Sequence, residues 1–152
     1  MRDFVEVYPM DKFIDKASKL GFETPTFTKD GDAGLDIRVC MEVRDEAMLL
    51  PGRIHKISTG IKFGIPRGWC GFVKERSGLG TKFGFKLVCG VIDSGYRGEI
   101  LVAFTVDEEM KIKNGDRIAQ VVFLPVLTKT KTVTKLSETE RGESGFGSSG
   151  VK

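Results

Sequence analysis

Apolar and polar residues alternate with a period of two along most of this chain, the spacing of strands that bury one face. Phe4 to Tyr8 is the first such stretch, and Leu35–Val43, Arg53–Thr59, Ile61–Ile65, Trp69–Lys74, Phe85–Cys89, Glu99–Asp107 and Arg117–Leu127 follow it. Pro51-Gly52, Pro66-Arg67-Gly68, Gly78-Leu79-Gly80 and Asn114-Gly115 stand between them as turns. Short strands at regular spacing with Gly and Pro turns predict an all-β sandwich or barrel. One segment breaks the period: Phe13, Ile14, Ala17 and Leu20 lie at helical spacing, with Asp11 as the expected N-cap and Gly21 as the stop. Thr24 to Asp32 is a turn-rich connection. Ala119 to Leu127 is apolar on both faces, which predicts burial on both sides, either centrally or against another subunit. Beyond Ser137 the chain turns polar and Gly/Ser-rich, dividing it into a folded domain over 1–137 and an expected mobile tail over 138–152.

Composition narrows the class. A chain of 152 residues is one domain by length and buries roughly 68–70% of its unfolded surface without a disulfide or metal staple. The net charge of +3 is too mild, and too evenly spread, to predict a nucleic-acid partner. Cys40, Cys70 and Cys89 form no C-x-x-C, so free thiols in a reducing cytoplasm are expected. His55 is the single histidine and is expected to face solvent from its strand; no nucleophile-elbow motif accompanies it. The first twenty residues are interleaved with charge, so no signal peptide is expected. The longest apolar run, Val121 to Leu127, is too short to cross a bilayer, so no membrane association is expected either. Asp107-Glu108-Glu109 reads as a solvated loop.

The chemistry concentrates in Gly90-Val-Ile-Asp-Ser-Gly-Tyr-Arg-Gly-Glu-Ile100. A short strand at Val91 and Ile92 leads into a turn around Ser94-Gly95, where Gly95 suits a positive φ. Asp93 and Tyr96 then stand at the two ends of one tight turn, so a carboxylate and an aromatic ring can face the same small volume. Elsewhere stand Ala33-Gly-Leu-Asp-Ile37, Arg76-Ser-Gly-Leu-Gly80, Gly115-Asp-Arg-Ile-Ala-Gln120 and Arg141-Gly-Glu-Ser-Gly-Phe-Gly-Ser-Ser-Gly150. Arg76 and Ser77 beside the Gly78 amide offer a guanidinium, a hydroxyl and backbone N–H groups, the donors that a polyphosphate accepts. The tail contains a formal G-x-G-x-x-G over Gly145–Gly150, but no helix can follow it within two residues, so it is not a dinucleotide fingerprint. Nor is 142–149 a Walker A loop, since Ser148 stands where Lys is required.

These five stretches, in this order and spanning nearly the whole chain, closely resemble the five motifs of the trimeric dUTPases. The resemblance implies a jelly-roll-like barrel, a homotrimer with shared active sites, and hydrolysis of dUTP to dUMP and pyrophosphate. It implies that Asp93 is the general base orienting water toward the α-phosphorus. The backbone of Val88, Gly90, Val91 and Ile92, leading into Asp93, would read uracil. Tyr96 would stack on the deoxyribose and exclude a 2′-hydroxyl. Arg76, Ser77, Gly78 and Gln120 would bind phosphates. Phe146 would stack on uracil as the tail closes, with Arg141, Gly147, Ser148 and Ser149 contacting phosphates. Mg²⁺ is expected on the triphosphate oxygens and water rather than on protein ligands, with Asp36 ordering the site or meeting metal-bound water. Asp116 and Arg117 read as structural.

Several positions depart from the family pattern. The segment 9–31 is longer, and a helix is predicted where the family runs extended. Glu75 replaces a frequent proline, Leu87 an asparagine of some bacterial members, Gly95 an acidic or amide residue and Ser144 a glycine. Two other readings share these residues. One is a dCTP deaminase of the same fold, alone or bifunctional, with Glu99 or Glu75 as acid/base. The other is a dUTP-gated regulatory binding protein.

Overall fold

The computed structural model describes residues 4–143. Its strands are β1 (Glu6–Pro9), β2 (Leu35–Arg38), β3 (Glu46–Leu49), β4 (His55–Ser58), β5 (Ile61–Gly64), β6 (Trp69–Lys74), β7 (Lys86–Leu87), β8 (Val91–Ile92), β9 (Leu101–Thr105), β10 (Met110–Lys113) and β11 (Arg117–Pro125). Two helices accompany them, α1 (Asp11–Leu20) and α2 (Ser77–Phe83). The strands pair antiparallel throughout, in the orders β2-β11-β6-β8, β4-β9-β7, β1-β5 and β10-β3. Neighbours in the sheets are mostly distant in sequence, as in a jelly roll. Side chains from all four sheets meet in one core that includes Ile37, Val73, Val121, Ile57, Val102, Phe104, Phe63, Leu49 and Ile112. Phe85 stacks on Phe104 at 4.2 Å between ring centroids.

Helix α1 forms as its spacing predicts and buries Phe13 completely, a contribution of about 2–3 kcal/mol. Its cap differs from expectation: Met10 takes the N-cap position in extended conformation, and Asp11 is the first helical residue, where a carboxylate favours the positive end of the helix dipole. Gly21 ends it at φ 73, in the left-handed region.

Other expectations shift. Gly78-Leu79-Gly80 is not a turn but the first half of α2, whose Leu79 and Phe83 pack on the core. That packing outweighs the helix cost of two glycines, about 1 kcal/mol each. Strands β3 and β10 were not expected. They pair with each other, and each has only four residues beside charged loops, so the alternation of Ala47 and Leu49, and of Met110 and Ile112, is locally weak. The stretch expected over 35–43 keeps only four strand residues, because Val39 and Cys40 hydrogen-bond Asp116 and Ser58 in a loop instead. His55 is half-buried rather than solvent-facing: its Nε2 lies 2.9 Å from the Leu50 carbonyl and its ring packs near Phe104. Strand β11 is central, between β2 and β6, as its apolar faces predict. Its far end is bare within one chain, with Leu124, Val126 and Leu127 exposed and every side chain over 126–143 exposed after them. Among the described residues no helix is long and apolar enough to cross a membrane.

Candidate active site

Strand pairing brings three of the motifs to one place. Gln120 on β11 lies opposite Asp36 on β2 and opposite Lys74 on β6. Arg76, two residues beyond Lys74, turns back onto Asp36, its Nε donating to Oδ1 at 2.9 Å. Arg117 donates to the other oxygen at 3.3 Å. Asp36 is thus the anchor of two guanidiniums, Arg76 and Arg117. Gln120 donates through Nε2 to the Glu75 carbonyl at 3.0 Å. Gly34 lies beside it, and a Cβ there would displace the end of the Gln120 side chain. Asp36, Arg76, Gln120 and Gly34 line a polar cleft of about 470 Å³ with Ser77 and Gly78, and with Thr28, Asp32 and Ala33. The sequence reading missed Thr28 and Asp32; the signal for them was the turn-rich run ahead of Gly34, where the Lys29 amide donates to Asp32 at 2.9 Å.

Asp93 and Tyr96 do not line this cleft. The turn joining them is tight, with the Tyr96 amide donating to the Asp93 carbonyl at 3.1 Å, and both side chains are exposed. Gly95 is not among the described glycines with positive φ, so the turn does not use the freedom expected of it. The Tyr96 hydroxyl donates to the Glu99 carbonyl at 3.0 Å, and Gly98 is required beneath it because a Cβ would meet that hydroxyl. The pairing of Ile92 with Gly71 and Val91 with Phe72, extended by one residue, sets Asp93 level with Cys70. The cleft lies further along β6: Gln120 and Asp36, which anchors Arg76, are level with Lys74, four residues beyond Cys70 and roughly 13 Å away at ~3.3 Å per residue. Within one chain the polar cleft around Arg76 and the Asp93 turn are therefore two separate places. Arg141 is described but lies in the exposed C-terminal stretch; Phe146, Gly147, Ser148 and Ser149 fall outside the described residues, as does Ser144.

The Asp93 turn is braced from below by Glu99. Its carboxylate accepts from Lys12 at 2.8 Å, from the Gly60 amide at 2.7 Å and from the Ser58 hydroxyl. Burial by itself would raise the Glu99 pKa, but these donors outweigh it and hold the group below the ordinary value of 4.5. A depressed folded pKa stabilises the fold above the unfolded value and loses that contribution as pH falls through the folded one. We therefore expect Glu99→Gln to melt several degrees below wild type at pH 7, with the gap closing on acidification below about pH 4.5. Melting curves of both proteins from pH 7 to pH 3 check this; a gap independent of pH would mean that the carboxylate charge contributes nothing. Burial also raises the Cys40 thiol, only partly offset by Lys12, as suits an inert core residue. Cys40, Cys70 and Cys89 are all free. Among the described residues no cluster of His, Cys, Asp or Glu could hold a metal ion.

The dUTPase family model matches residues 21–150. A deoxyuridine 5′-triphosphate nucleotidohydrolase of Desulfitobacterium hafniense is 46% identical over 143 residues, covering 90% of this chain and 91% of its own. That of Rhizobium etli is 40% identical over 151 residues, covering 96% and 97%. Among solved structures, the dUTPase of Staphylococcus bacteriophage 80alpha with dUPNHPP superposes with a TM-score of 0.81 at 28% identity, covering 99% of this chain and all of that one. With the jelly-roll fold, the ordered motifs and relatives matching along nearly their full length, this chain belongs to the dUTPase family, the nucleotidohydrolases of deoxyuridine 5′-triphosphate.

Proposed function

We propose that this dUTPase converts dUTP to dUMP and pyrophosphate in a site built between copies of the chain, which keeps uracil out of DNA and supplies dUMP for thymidylate synthesis. The observation that carries this reading is the separation of the Arg76 cleft from the Asp93 turn. A triphosphate cradled by Arg76, Ser77, Gly78 and Gln120 of one chain would lie in a cleft that the same chain's Asp93 does not line, roughly 13 Å from it along the sheet. Asp93 of a second copy must face it. A homotrimer, which the family resemblance implies, would supply that copy. The bare end of β11, the exposed Leu127, Val133 and Leu136, and an apolar groove of about 590 Å³ lined by Phe4, Val7, Phe27, Trp69 and Phe123 are surfaces that one chain leaves uncovered, in keeping with assembly.

Hydrolysis needs a water aimed at the α-phosphorus and donors for the charge on the oxygens around it. The Asp93 carboxylate takes the proton of that water as the oxygen–phosphorus bond forms, and the bond to the bridging oxygen breaks to release pyrophosphate. Arg76, held by Asp36, presents a preorganised cation, and Ser77, the Gly78 amide and the Gln120 side chain add neutral donors. The backbone over Val88 to Ile92 reads uracil, and Tyr96, oriented by its bond to the Glu99 carbonyl, packs on the deoxyribose where a 2′-hydroxyl would need room. Arg141 and Phe146, with Gly147, Ser148 and Ser149, close over phosphate and base and exclude bulk water. Residues 138–152 thus act as a lid on a domain over 1–137.

Mg²⁺ suits this donor set as a companion of the substrate. Both Asp36 oxygens are engaged by guanidiniums, and Asp32 accepts from Lys29, so the cleft offers cations and donors for phosphate oxygens. When bound, Mg²⁺ supplies charge neutralisation on the triphosphate while keeping much of its water. A cytoplasmic location fits the free thiols. The deciding experiment is pyrophosphate release with Mg²⁺ from dUTP, UTP, dCTP and dTTP in parallel. Release from dUTP alone is expected. Equal release from all four would overturn the roles of Tyr96 and the hairpin, and deoxyuridine nucleotides formed from dCTP would indicate a deaminase.

A further inference from the structure

We propose that Glu75, which stands where the family pattern often has proline, is a positioning residue that fixes the base-reading hairpin against the phosphate turn and so helps determine base specificity. This rests on the reading of the site above. Strand β7 is the edge of its sheet, and Leu87 pairs there with Phe104. In an antiparallel ladder, alternate amides point away from the partner strand. The Val88 amide points inward and donates to the Ala103 carbonyl at 2.9 Å, so the Leu87 amide points outward from the edge. The Glu75 carboxylate meets it, with Oε1 accepting from Leu87 N–H at 3.1 Å. The segment that follows, Val88 to Gly90, crosses to the other sheet, where the Gly90 carbonyl accepts from the Val73 amide at 2.7 Å. The start of the stretch assigned to uracil, Val88 to Gly90, is therefore pinned to the strand that runs into Arg76, by Glu75 at Leu87 and by Val73 at Gly90.

Glu75 is well placed for this brace. Its backbone carbonyl is held by Gln120, which fixes where the side chain starts. Its second oxygen lies 3.3 Å from the Lys74 ammonium. Its own amide, then that of Leu87, keeps the carboxyl below the ordinary glutamate range, against a smaller opposing effect of burial. The charge that an acidic residue brings beside a phosphate-binding arginine is thus directed at the Leu87 amide, away from the cleft. A proline here would have no acceptor to offer, so a chain carrying one must hold the hairpin in another way.

The test compares Glu75→Ala and Glu75→Gln with wild type in three readouts: KM and kcat for dUTP, the preference for dUTP over dCTP, and hydrogen exchange at the Leu87 amide. Glu75→Ala is expected to raise KM roughly 5–20-fold with kcat within about twofold, to erode the preference by a similar factor, and to speed Leu87 exchange. Glu75→Gln keeps an oxygen acceptor and is expected to restore all three close to wild type. A Glu75→Ala enzyme with wild-type KM, preference and exchange would overturn the proposal, as would a Glu75→Gln enzyme as impaired as the alanine variant. If wild type itself released no pyrophosphate from dUTP, the reading of the site would fail instead, and Leu87 exchange in the two variants would still decide whether the brace exists.

Discussion

Replacing Asp93 by Asn is expected to lower kcat for dUTP by roughly 10²–10⁴-fold, the usual worth of a positioned general base, while a non-hydrolysable dUTP analogue binds as tightly as before. The substitution isolates proton transfer because the turn does not depend on the carboxylate. The turn is closed by backbone, Tyr96 N–H to Asp93 carbonyl, and its aromatic ring is set by the bond from the Tyr96 hydroxyl to the Glu99 carbonyl. Glu99 is in turn fixed by Lys12, Ser58 and Gly60. An asparagine side chain has the same shape and can still meet a water, but it cannot take the proton. Single-turnover pyrophosphate release and analogue titration separate the two effects. Turnover within tenfold of wild type would remove Asp93 from the chemistry.

Asp93, Tyr96, Arg76 and Ser77 stood out as candidates because they lie in short polar or glycine-containing stretches unlike a strand. The roles given to them, and to Gln120 within β11, rest on the resemblance to the dUTPase motifs, while the apolar and alternating stretches over Leu35 to Ile37, Trp69 to Lys74 and β11 showed their strands. What hid were relations between distant positions. Asp36 and Arg117 are 81 residues apart and Asp36 and Arg76 are 40 apart, so nothing local marks Asp36 as the anchor of both. Glu75 could be seen to depart from the family pattern, yet the direction of its side chain depends on an edge strand that begins eleven residues later. Helix α2 was hidden by Gly78 and Gly80, whose low helix propensity is overridden by the packing of Leu79 and Phe83. The distance between the Asp93 turn and the Arg76 cleft follows from strand register, which composition does not encode.

That distance has a consequence for mixed assemblies. Arg76→Ala removes the guanidinium and is expected to lower kcat/KM roughly 10²-fold, since charge-assisted bonds to phosphate are the strong ones. The fold should survive, because Asp36 keeps its contact with Arg117. Asp93→Asn and Arg76→Ala assemblies are then each nearly inactive alone. If every site takes its Asp93 turn from one chain and its Arg76 cleft from a neighbour, chains carrying the two lesions complement each other. In randomly mixed, closed assemblies of equal parts, about one site in four draws an intact Asp93 from an Arg76→Ala chain and an intact Arg76 from an Asp93→Asn chain. Co-refolding the two variants is thus expected to restore about a quarter of wild-type activity, far above either parent. A site contained in one chain predicts no gain at any ratio, because every chain in the mixture carries a lesion. The recovered activity should also fall when either parent is in excess, because it depends on the product of the two fractions. That dependence separates complementation from contamination by wild type, whose activity would be independent of the ratio of the two lesions.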